Sequence, residues 1–519
     1  MDKGNVKFDV ILTTDRSMMT NHHGKEFLGF MTTGPALGMP EALWMWIAAP
    51  KIKVDKIGRP SEAPYGMRKI EAVLVDNGIN AAIIDPDYLK YYLNDAKVLM
   101  LSHHDYFALG PPSSEWWFIT GKEPVNLKSF KKLMEKNEIK QAKKHGLKII
   151  AGGPAAWQWL FRTDAWKKYG IDTVFDGEGE KIITDLVLKA LNDEELPAYV
   201  YVGPEDSPKI EEIPVIKAPS VNGLVEVMRG CPRYCSFCSV TLRKLRMIPL
   251  DVIEKEIMIN VSHGIKGGIL HSEDVLLYGA YGIMPREKPL IKLHTLATKY
   301  YKGLAWSHIA LATLLSAQYN GKIIDKIMDI IFSNTGQKFI GVETGIETGS
   351  SKLAYKIMPA KAAPFKVDMW PDLVVEAFSI MHEHNILPAA TLILGLPGET
   401  PDDVIKTAEL IERLRPYQSL IVPMFFVPLG MLKDKDWFRK ISLSTEHTEV
   451  LKLTLKHSLY WSQRIINKYL DKPHELPLRL ALYGFMKYIE WKTKKFINII
   501  EEKPTTIIQQ EVQTIHNNL

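Results

Sequence analysis

Short apolar runs alternate with amphipathic stretches along most of the chain, and this alternation constrains the fold more than any other feature of the sequence. Apolar runs of strand length occur at residues 81–84, 98–101, 148–151 and 173–175, with helical patterns between them. Strands that alternate with helices predict βαβ units, and therefore a parallel sheet that is covered by helices on both faces. The predicted fold class is α/β, and this part of the chain is predicted to be doubly wound.

A polar, proline-containing stretch at residues 203–220 is interpreted as a linker, after which the alternation resumes. Six further strand-and-helix units predict a partial, TIM-like (β/α)6 barrel, with its chemistry at the carboxyl ends of the strands. The strand pattern then fades, and Leu478 and Leu482 share a helical face. We divide the chain into an N-terminal extension (1–59), a Rossmann-like domain (60–205), the partial barrel (206–430) and a helical region (431–519).

The composition excludes several classes of protein. Of the 519 residues, 46% are hydrophobic and 24% are charged, which excludes a wholly disordered chain and a collagen-like fibre. The formal net charge is only +5, so no nucleic-acid partner is predicted. No apolar run approaches the roughly 18 residues that span a bilayer. We expect a cytoplasmic protein whose C-terminal region forms a helical cap on the barrel, with peripheral contact with a membrane as the alternative role of that region.

All three cysteines of the chain lie within eight residues, as Cys231, Cys235 and Cys238. An odd number of thiols at this spacing is not a disulfide framework, which leaves a metal site or chance clustering. Structural zinc sites take four protein ligands, usually in CxxC pairs, and an ordinary iron–sulfur cluster takes four thiolates. A [4Fe–4S] cluster held by three thiolates leaves one iron open to a small chelating molecule.

The CxxxCxxC spacing after the first strand of a partial barrel resembles the radical S-adenosylmethionine (SAM) superfamily. The resemblance covers residues 220–430 and includes three more segments, at 271–274, 341–350 and 394–399. It implies a [4Fe–4S] cluster on the three cysteines, which cleaves SAM to a 5′-deoxyadenosyl radical that removes hydrogen from an unactivated carbon. It also implies SAM-binding roles for Ser272, Glu273, Glu343, Glu347 and Gly395.

The N-terminal half resembles the cobalamin-binding domains that are fused to some radical enzymes. The resemblance rests on residues 66–72 and 102–114 and on the glycine loops at 151–154 and 176–180. It implies a cobalamin cofactor near Gly152, Gly153 and Glu178. The chain has no Asp-x-His-x-x-Gly sequence, the motif whose histidine binds cobalt in many cobalamin proteins.

The layout of the whole chain resembles archaeal enzymes that build rings in tetraether (GDGT) membrane lipids. That resemblance implies a hydrophobic lipid substrate and an electron donor such as ferredoxin or flavodoxin. A cobalamin-dependent radical SAM C-methyltransferase is the first alternative. A non-catalytic iron–sulfur or zinc-binding module is the second, and it accounts for the cysteines alone.

Overall fold

The computed structural model describes residues 6–438, 443–470 and 472–502, with side chains as far as Trp491. Two compact units are present. The first comprises Met1–Val225 and Ile248–Gly268, and the second comprises Glu226–Met247 and Ile269–Leu519. The part of the predicted helical region after residue 502 lies outside the described residues.

The first unit contains a six-stranded parallel sheet. Its strands are β1 (Val10–Thr13), β2 (Ala81–Ile83), β3 (Val98–Ser102), β4 (Lys148–Gly152), β5 (Thr173–Asp176) and β6 (Tyr199–Tyr201). They lie in the order β2-β1-β3-β4-β5-β6. The chain therefore changes direction between β1 and β3, which is the switch point of a doubly wound sheet.

Strand β1 lies within residues 1–59, which the sequence analysis treats as an extension. It pairs with both β2 and β3, so the sheet begins earlier in the chain than the predicted boundary at residue 60. All four of its residues are buried. A short strand that is buried on both faces shows no alternation of apolar and polar residues, which explains why the pattern does not reveal it.

One face of this sheet forms a hydrophobic core with two helices. The helices of the first unit are α1 (Glu41–Ala48), α2 (Tyr65–Asp76), α3 (Ser113–Thr120), α4 (Val125–Met134), α5 (Asn137–Lys144), α6 (Thr163–Tyr169), α7 (Ile183–Leu191) and α8 (Leu250–Ser262). Met67 and Leu74 of α2 and Leu186 of α7 pack with Val10 and Leu12 of β1. Both strand residues face this core because side chains two positions apart lie on the same face of a strand.

The strands of the second part of the chain follow one another in sequence order. They are β7 (Leu224–Glu226), the short antiparallel pair β8 (Met228–Arg229) and β9 (Arg246–Met247), then β10 (Gly267–His271), β11 (Gly303–Trp306), β12 (Ile340–Glu347), β13 (Ile386–Leu394) and β14 (Leu420–Phe425). Two three-stranded sheets result, β11-β10-β7 and β12-β13-β14. A parallel bridge from His308 to Glu343 joins the end of β11 to β12. The predicted parallel α/β architecture is confirmed, and closure into a partial barrel stays a prediction.

Helices fill the intervals between these strands and continue beyond them. They are α9 (Glu287–Tyr300), α10 (Leu311–Tyr319), α11 (Ile323–Thr335), α12 (Ser351–Ile357), α13 (Trp370–Glu383), α14 (Pro401–Arg413), α15 (Thr445–Tyr469) and α16 (Leu476–Glu502). Within the described residues, none of the helices combines the length and the apolar character that a membrane span requires.

Candidate functional site

The three cysteines lie on the loop that joins β8 to β9, in the second unit. Cys235 is buried, whereas Cys231 and Cys238 are partly exposed. The loop is held by backbone contacts: the Ser236 amide donates to the Ile357 carbonyl at 2.9 Å. The Thr241 hydroxyl donates to the Cys238 carbonyl at 3.0 Å. The loop conformation is therefore fixed by contacts that do not involve the thiols.

The environment of the metal-free thiols keeps them protonated at neutral pH. Burial raises the pKa of Cys231 to about 12 and that of Cys238 to about 11, and it also raises the pKa of Cys235. A metal binds the thiolate form, so metal binding here releases protons and has to offset the cost of forming buried thiolates.

Arg233, between the first two cysteines, anchors the loop to the segment that follows α12. Its guanidinium is 2% exposed and donates to the carbonyls of Ala360, Lys361 and Ala363, at 3.1, 2.9 and 2.9 Å. Its Nε lies 3.7 Å from the Asp274 carboxylate, which is 0% exposed. A buried cation that spans these groups holds the cysteine loop in one position.

Ser272 and Asp274 shape the turn after β10. The Ser272 hydroxyl accepts a hydrogen bond from the Asp274 amide at 3.2 Å, and the Ser272 amide donates to the Ser307 hydroxyl at 3.0 Å. Burial raises the pKa of Asp274, although Arg233 and the Thr313 hydroxyl oppose this effect. Glu273, between these two residues, is only partly buried, and its charge contributes to the raised pKa of Cys238.

Glu343 pairs with a histidine from the neighbouring strand end. His308 Nε2 lies 3.0 Å from Glu343 Oε2, and both side chains are 38% exposed. Burial alone would lower the pKa of His308, but the bond to Glu343 and the charge of Glu273 raise it to about 9. The ring of His271 lies 6.4 Å from that of His308 between centroids, and burial lowers the pKa of His271. The strand ends thus carry a cationic and a neutral imidazole side by side at neutral pH.

Glu347 and Lys361 form a buried ion pair next to the cysteine loop. Their side chains are 7% and 11% exposed. The Thr391 hydroxyl donates to the second carboxylate oxygen of Glu347 at 3.2 Å. Burial would lower the pKa of Lys361, but Glu347 and Cys235 raise it, so the lysine carries its charge at neutral pH.

Gly395, which follows β13, is enclosed by the protein itself. Its φ is 76°, and an added Cβ would overlap the ring of Phe438. Its amide donates to Glu399 Oε2 at 2.7 Å, and the same carboxylate oxygen lies 2.9 Å from Nε2 of His447. Both the conformation and the close approach of the ring require glycine at this position.

The donor set of the cysteine loop fits a three-thiolate iron–sulfur cluster. Three thiols stand on one loop, and the Lys361 ammonium provides a positive charge that would compensate the thiolates of a bound cluster. In the part of the chain that the structure describes, no three His, Cys, Asp or Glu side chains converge on a single metal ion. A cubane cluster distributes its thiolates over separate irons, so that observation does not bear on it.

The residues predicted to hold cobalamin lie in the first unit, and the two glycines among them contact other residues of that unit. Gly153 has a φ of 86°, and an added Cβ would lie 2.5 Å from the Ser102 hydroxyl. The Gly152 carbonyl accepts a 2.7 Å hydrogen bond from the Tyr106 hydroxyl. Glu178 is 8% exposed. The two glycines therefore serve close packing at the ends of β3 and β4.

A buried contact between a histidine and an aspartate lies at the switch point of that sheet. His103, after β3, places Nε2 2.5 Å from Oδ2 of Asp15, after β1, and both residues are 1% exposed. Burial would raise the pKa of Asp15, but His103 and hydrogen bonds from serine hydroxyls lower it.

Aromatic rings fill the space around Asp15 and His103. Tyr106 lies 5.0 Å from Phe130 and 5.2 Å from Trp159 between ring centroids, and all three rings are at most 1% exposed. A doubly wound sheet of this order binds its ligand at the switch point, and here the protein's own side chains fill it. The protein's own side chains occupy this edge of the sheet, and cobalamin binding by the first unit stays a prediction.

The structure brings together some predicted site residues and reveals others. Glu273 follows β10 and Glu347 ends β12, whereas Glu343, predicted to follow its strand, lies inside β12. Glu343 and Glu347 are paired with cations. The sequence analysis overlooked Arg233 and Lys361. Position inside the cysteine motif was a signal for Arg233, whereas nothing in the local sequence marks Lys361.

Comparisons with known proteins identify one region of the chain. Residues 225–411 match the family model of the radical SAM superfamily. The chain is 22% identical over 365 residues to a tRNA-2-methylthio-N(6)-dimethylallyladenosine synthase from Psychrobacter sp. (strain PRwf-1), covering 68% of this chain and 69% of that protein. It is 23% identical over 276 residues to a probable threonylcarbamoyladenosine tRNA methylthiotransferase from Archaeoglobus fulgidus, covering 53% and 60%.

One solved structure resembles the chain with a low TM-score. It is the radical S-adenosylmethionine methyltransferase TsrM from Kitasatospora setae, with 12% identity, coverage of 80% of this chain and 73% of that chain, and a TM-score of 0.46. The chain spans less than two thirds of the length of several curated relatives, including a synthase from Nitrosomonas eutropha of which it covers 44%.

Proposed function

We propose that this chain, a radical SAM enzyme by virtue of the domain at residues 225–411, removes hydrogen atoms from unactivated carbons of a hydrophobic lipid. The three-cysteine loop is the observation that carries the radical chemistry. Cys231, Cys235 and Cys238 would hold the cluster, which supplies an electron for the reductive cleavage of SAM when it is bound. In this proposal Ser272 and Glu273 contact the SAM that occupies the open iron.

We propose ring formation in a tetraether lipid as the specific reaction. Closing a ring cleaves two C–H bonds and forms one C–C bond. The two hydrogen atoms leave on two molecules of 5′-deoxyadenosine, so each ring consumes two SAM molecules and two electrons from a donor such as ferredoxin or flavodoxin. The chain itself must bind the lipid and exclude water, because a carbon radical reacts with whatever reaches it.

The filled switch point of the first unit supports ring formation over cobalamin-dependent methyl transfer. Asp15 and His103 pair where the sheet would bind a ligand, and Tyr106 caps the Gly152 carbonyl. Ring formation needs no methyl donor, so it is compatible with a switch point that the protein's own side chains occupy. The methylthio transfer in the names of the relatives concerns tRNA, and the net charge of +5 gives little support for a nucleic-acid substrate here.

Apolar side chains of α16 supply a surface that suits contact with lipid. Leu480 is 60% exposed and Trp491 is 58% exposed, while Leu478 and Leu482 face the protein. The sequence from Lys487 to Lys495 is rich in basic and aromatic residues, a combination that favours the interface of an anionic membrane. This surface supports the proposed peripheral contact with a membrane.

Expression in a host that makes uncyclised tetraethers tests the proposal. We expect lipids that have lost one pair of hydrogens per ring and that elute differently, and we expect Cys235→Ala to abolish them. A gain of one methylene mass would favour methyl transfer instead, and unchanged lipids would contradict both reactions. Formation of 5′-deoxyadenosine by the reconstituted protein with dithionite tests the radical chemistry separately, and its absence would favour a non-catalytic module.

A further inference from the structure

The ion pair between Glu347 and Lys361 stands out because the protein buries it beside the cysteine loop. Burying two charges carries a desolvation cost that their mutual attraction only partly offsets. Such pairs are weak evidence for a purely stabilising role, so the position of this pair needs another explanation. The sequence assigns Glu347 to SAM, yet both of its carboxylate oxygens already have partners, Lys361 and the Thr391 hydroxyl.

The backbone is bent to bring the pair together. The register of β12 against β13 shifts between Gly345 and Glu347, and Glu347 has a φ of 63°. A bulge of this kind redirects a side chain, and a non-glycine residue at positive φ stores backbone strain. At Gly345 an added Cβ would overlap the Glu347 carboxylate and lie 2.5 Å from Lys361 Nζ. Three features of one strand end thus serve the placement of this pair.

The lysine faces the cysteine loop from a fixed position. Its Nζ lies 5.9 Å from the ring centroid of Phe237, which stands between Cys235 and Cys238. Its carbonyl accepts the 2.9 Å hydrogen bond from Arg233 of the same loop. The ammonium charge acts on both Cys235 and Cys238. The loop and the lysine therefore cannot shift independently.

We infer that the Glu347–Lys361 pair sets the electrostatic potential at the cysteine loop and thereby positions the reduction potential of the iron–sulfur cluster bound there. The inference rests on the proposed function only in requiring that cluster. Reduction adds a negative charge to the cluster, so a nearby cation favours it and a nearby anion opposes it. In a partly buried site, charges several ångströms apart still interact strongly, and cluster potentials respond to net charge, hydrogen bonds and exposure.

The signs of the expected shifts in the midpoint potential distinguish this electrostatic role from a structural role. Lys361→Gln removes a positive charge and should make the midpoint potential more negative. Glu347→Gln removes a negative charge and should make it more positive. The double variant removes both charges and should return the potential close to the wild-type value. A purely structural role would disturb the cluster in the same direction in both single variants.

The experiment is a redox titration of the reconstituted full-length protein without SAM. Electron paramagnetic resonance monitors the reduced cluster at each potential. Iron and sulfide content is measured first for each variant. The matched control is Lys326→Gln, because Lys326 forms an exposed pair with Glu287, 2.8 Å apart and almost half exposed on both sides, in the same unit. This control should leave the potential unchanged.

The possible outcomes test the inference about the reduction potential separately from the proposed function. Opposite shifts that cancel in the double variant support the inference, whatever the lipid assay shows. Shifts of equal sign, or none, overturn it even if SAM cleavage and ring formation proceed. If the Lys361→Gln variant loses the cluster and the double variant keeps it, the result would still show that the cluster depends on the charges of this pair. Failure of the wild-type protein to take up a cluster would overturn the cluster site, and the inference and the proposed function with it.

Discussion

The pair formed by His308 and Glu343 gives the sharpest test of the electrostatics at the strand ends. The two groups lie 3.0 Å apart, and the pKa of His308 rises from its ordinary 6.5 to about 9. Replacing Glu343 by Gln keeps the shape of the side chain and removes its charge. Burial then dominates, and the pKa of His308 should fall below 6.5 unless the charge of Glu273 alone sustains it.

The same shift predicts how stability depends on pH. A histidine whose pKa is higher in the folded state contributes stability that is fully present below pH 6.5 and is lost as the pH rises through about 9. The full shift corresponds to about 3 kcal/mol. Both side chains are 38% exposed, so solvent screening reduces the expected contribution to about 1 kcal/mol. The Glu343→Gln variant should lack this loss of stability at alkaline pH.

Nuclear magnetic resonance of the metal-free protein with histidine-selective carbon labelling measures the pKa directly. His294 is the internal control, because burial lowers its pKa to about 4 and its Nε2 accepts a 2.9 Å hydrogen bond from the Trp306 indole. It should stay neutral through the titration in both proteins. A wild-type His308 that titrates near 6.5, or one that still titrates near 9 in Glu343→Gln, would refute the reasoning.

Two further substitutions test how the site is held. Arg233→Met should weaken protection of the cysteine loop in hydrogen–deuterium exchange by about 3–5 kcal/mol, because Asp274 is left as an unpaired buried charge. The double variant with Asp274→Asn should regain much of that protection, and an equal loss in both would contradict the charge argument. Gly395→Ala should lower the melting temperature much more than Gly282→Ala, because Phe438 occupies the space at the first position while nothing lies within 4 Å at the second, and φ is positive at both. Equal losses would show that backbone strain alone decides.

Local patterns in the sequence predict those parts of the protein that depend on neighbours along the chain. The spacing of Cys231, Cys235 and Cys238 is such a pattern, and the match to the radical SAM superfamily over residues 225–411 confirms the family it indicated. The parallel α/β architecture follows in the same way from alternating strands and helices. The sequence pattern did not predict strand β1, because its four residues are all buried and show no alternation of apolar and polar side chains. The SAM contacts, the domain boundaries and cobalamin binding stay predictions.

Contacts between distant residues are decided only by the tertiary structure. His308 and Glu343 stand 35 positions apart and meet because a parallel bridge pairs the chain just beyond β11 with a residue inside β12. The sequence gave no sign of Lys361. Asp15 and His103, which lie at the switch point, are even further apart in sequence.

The sequence by itself therefore determined the class of chemistry, because three thiols on one short loop are close whatever the rest of the chain does. The tertiary structure alone decided the charges around those thiols. A charge acts through distance in space and through the exclusion of water, and both are properties of the folded chain.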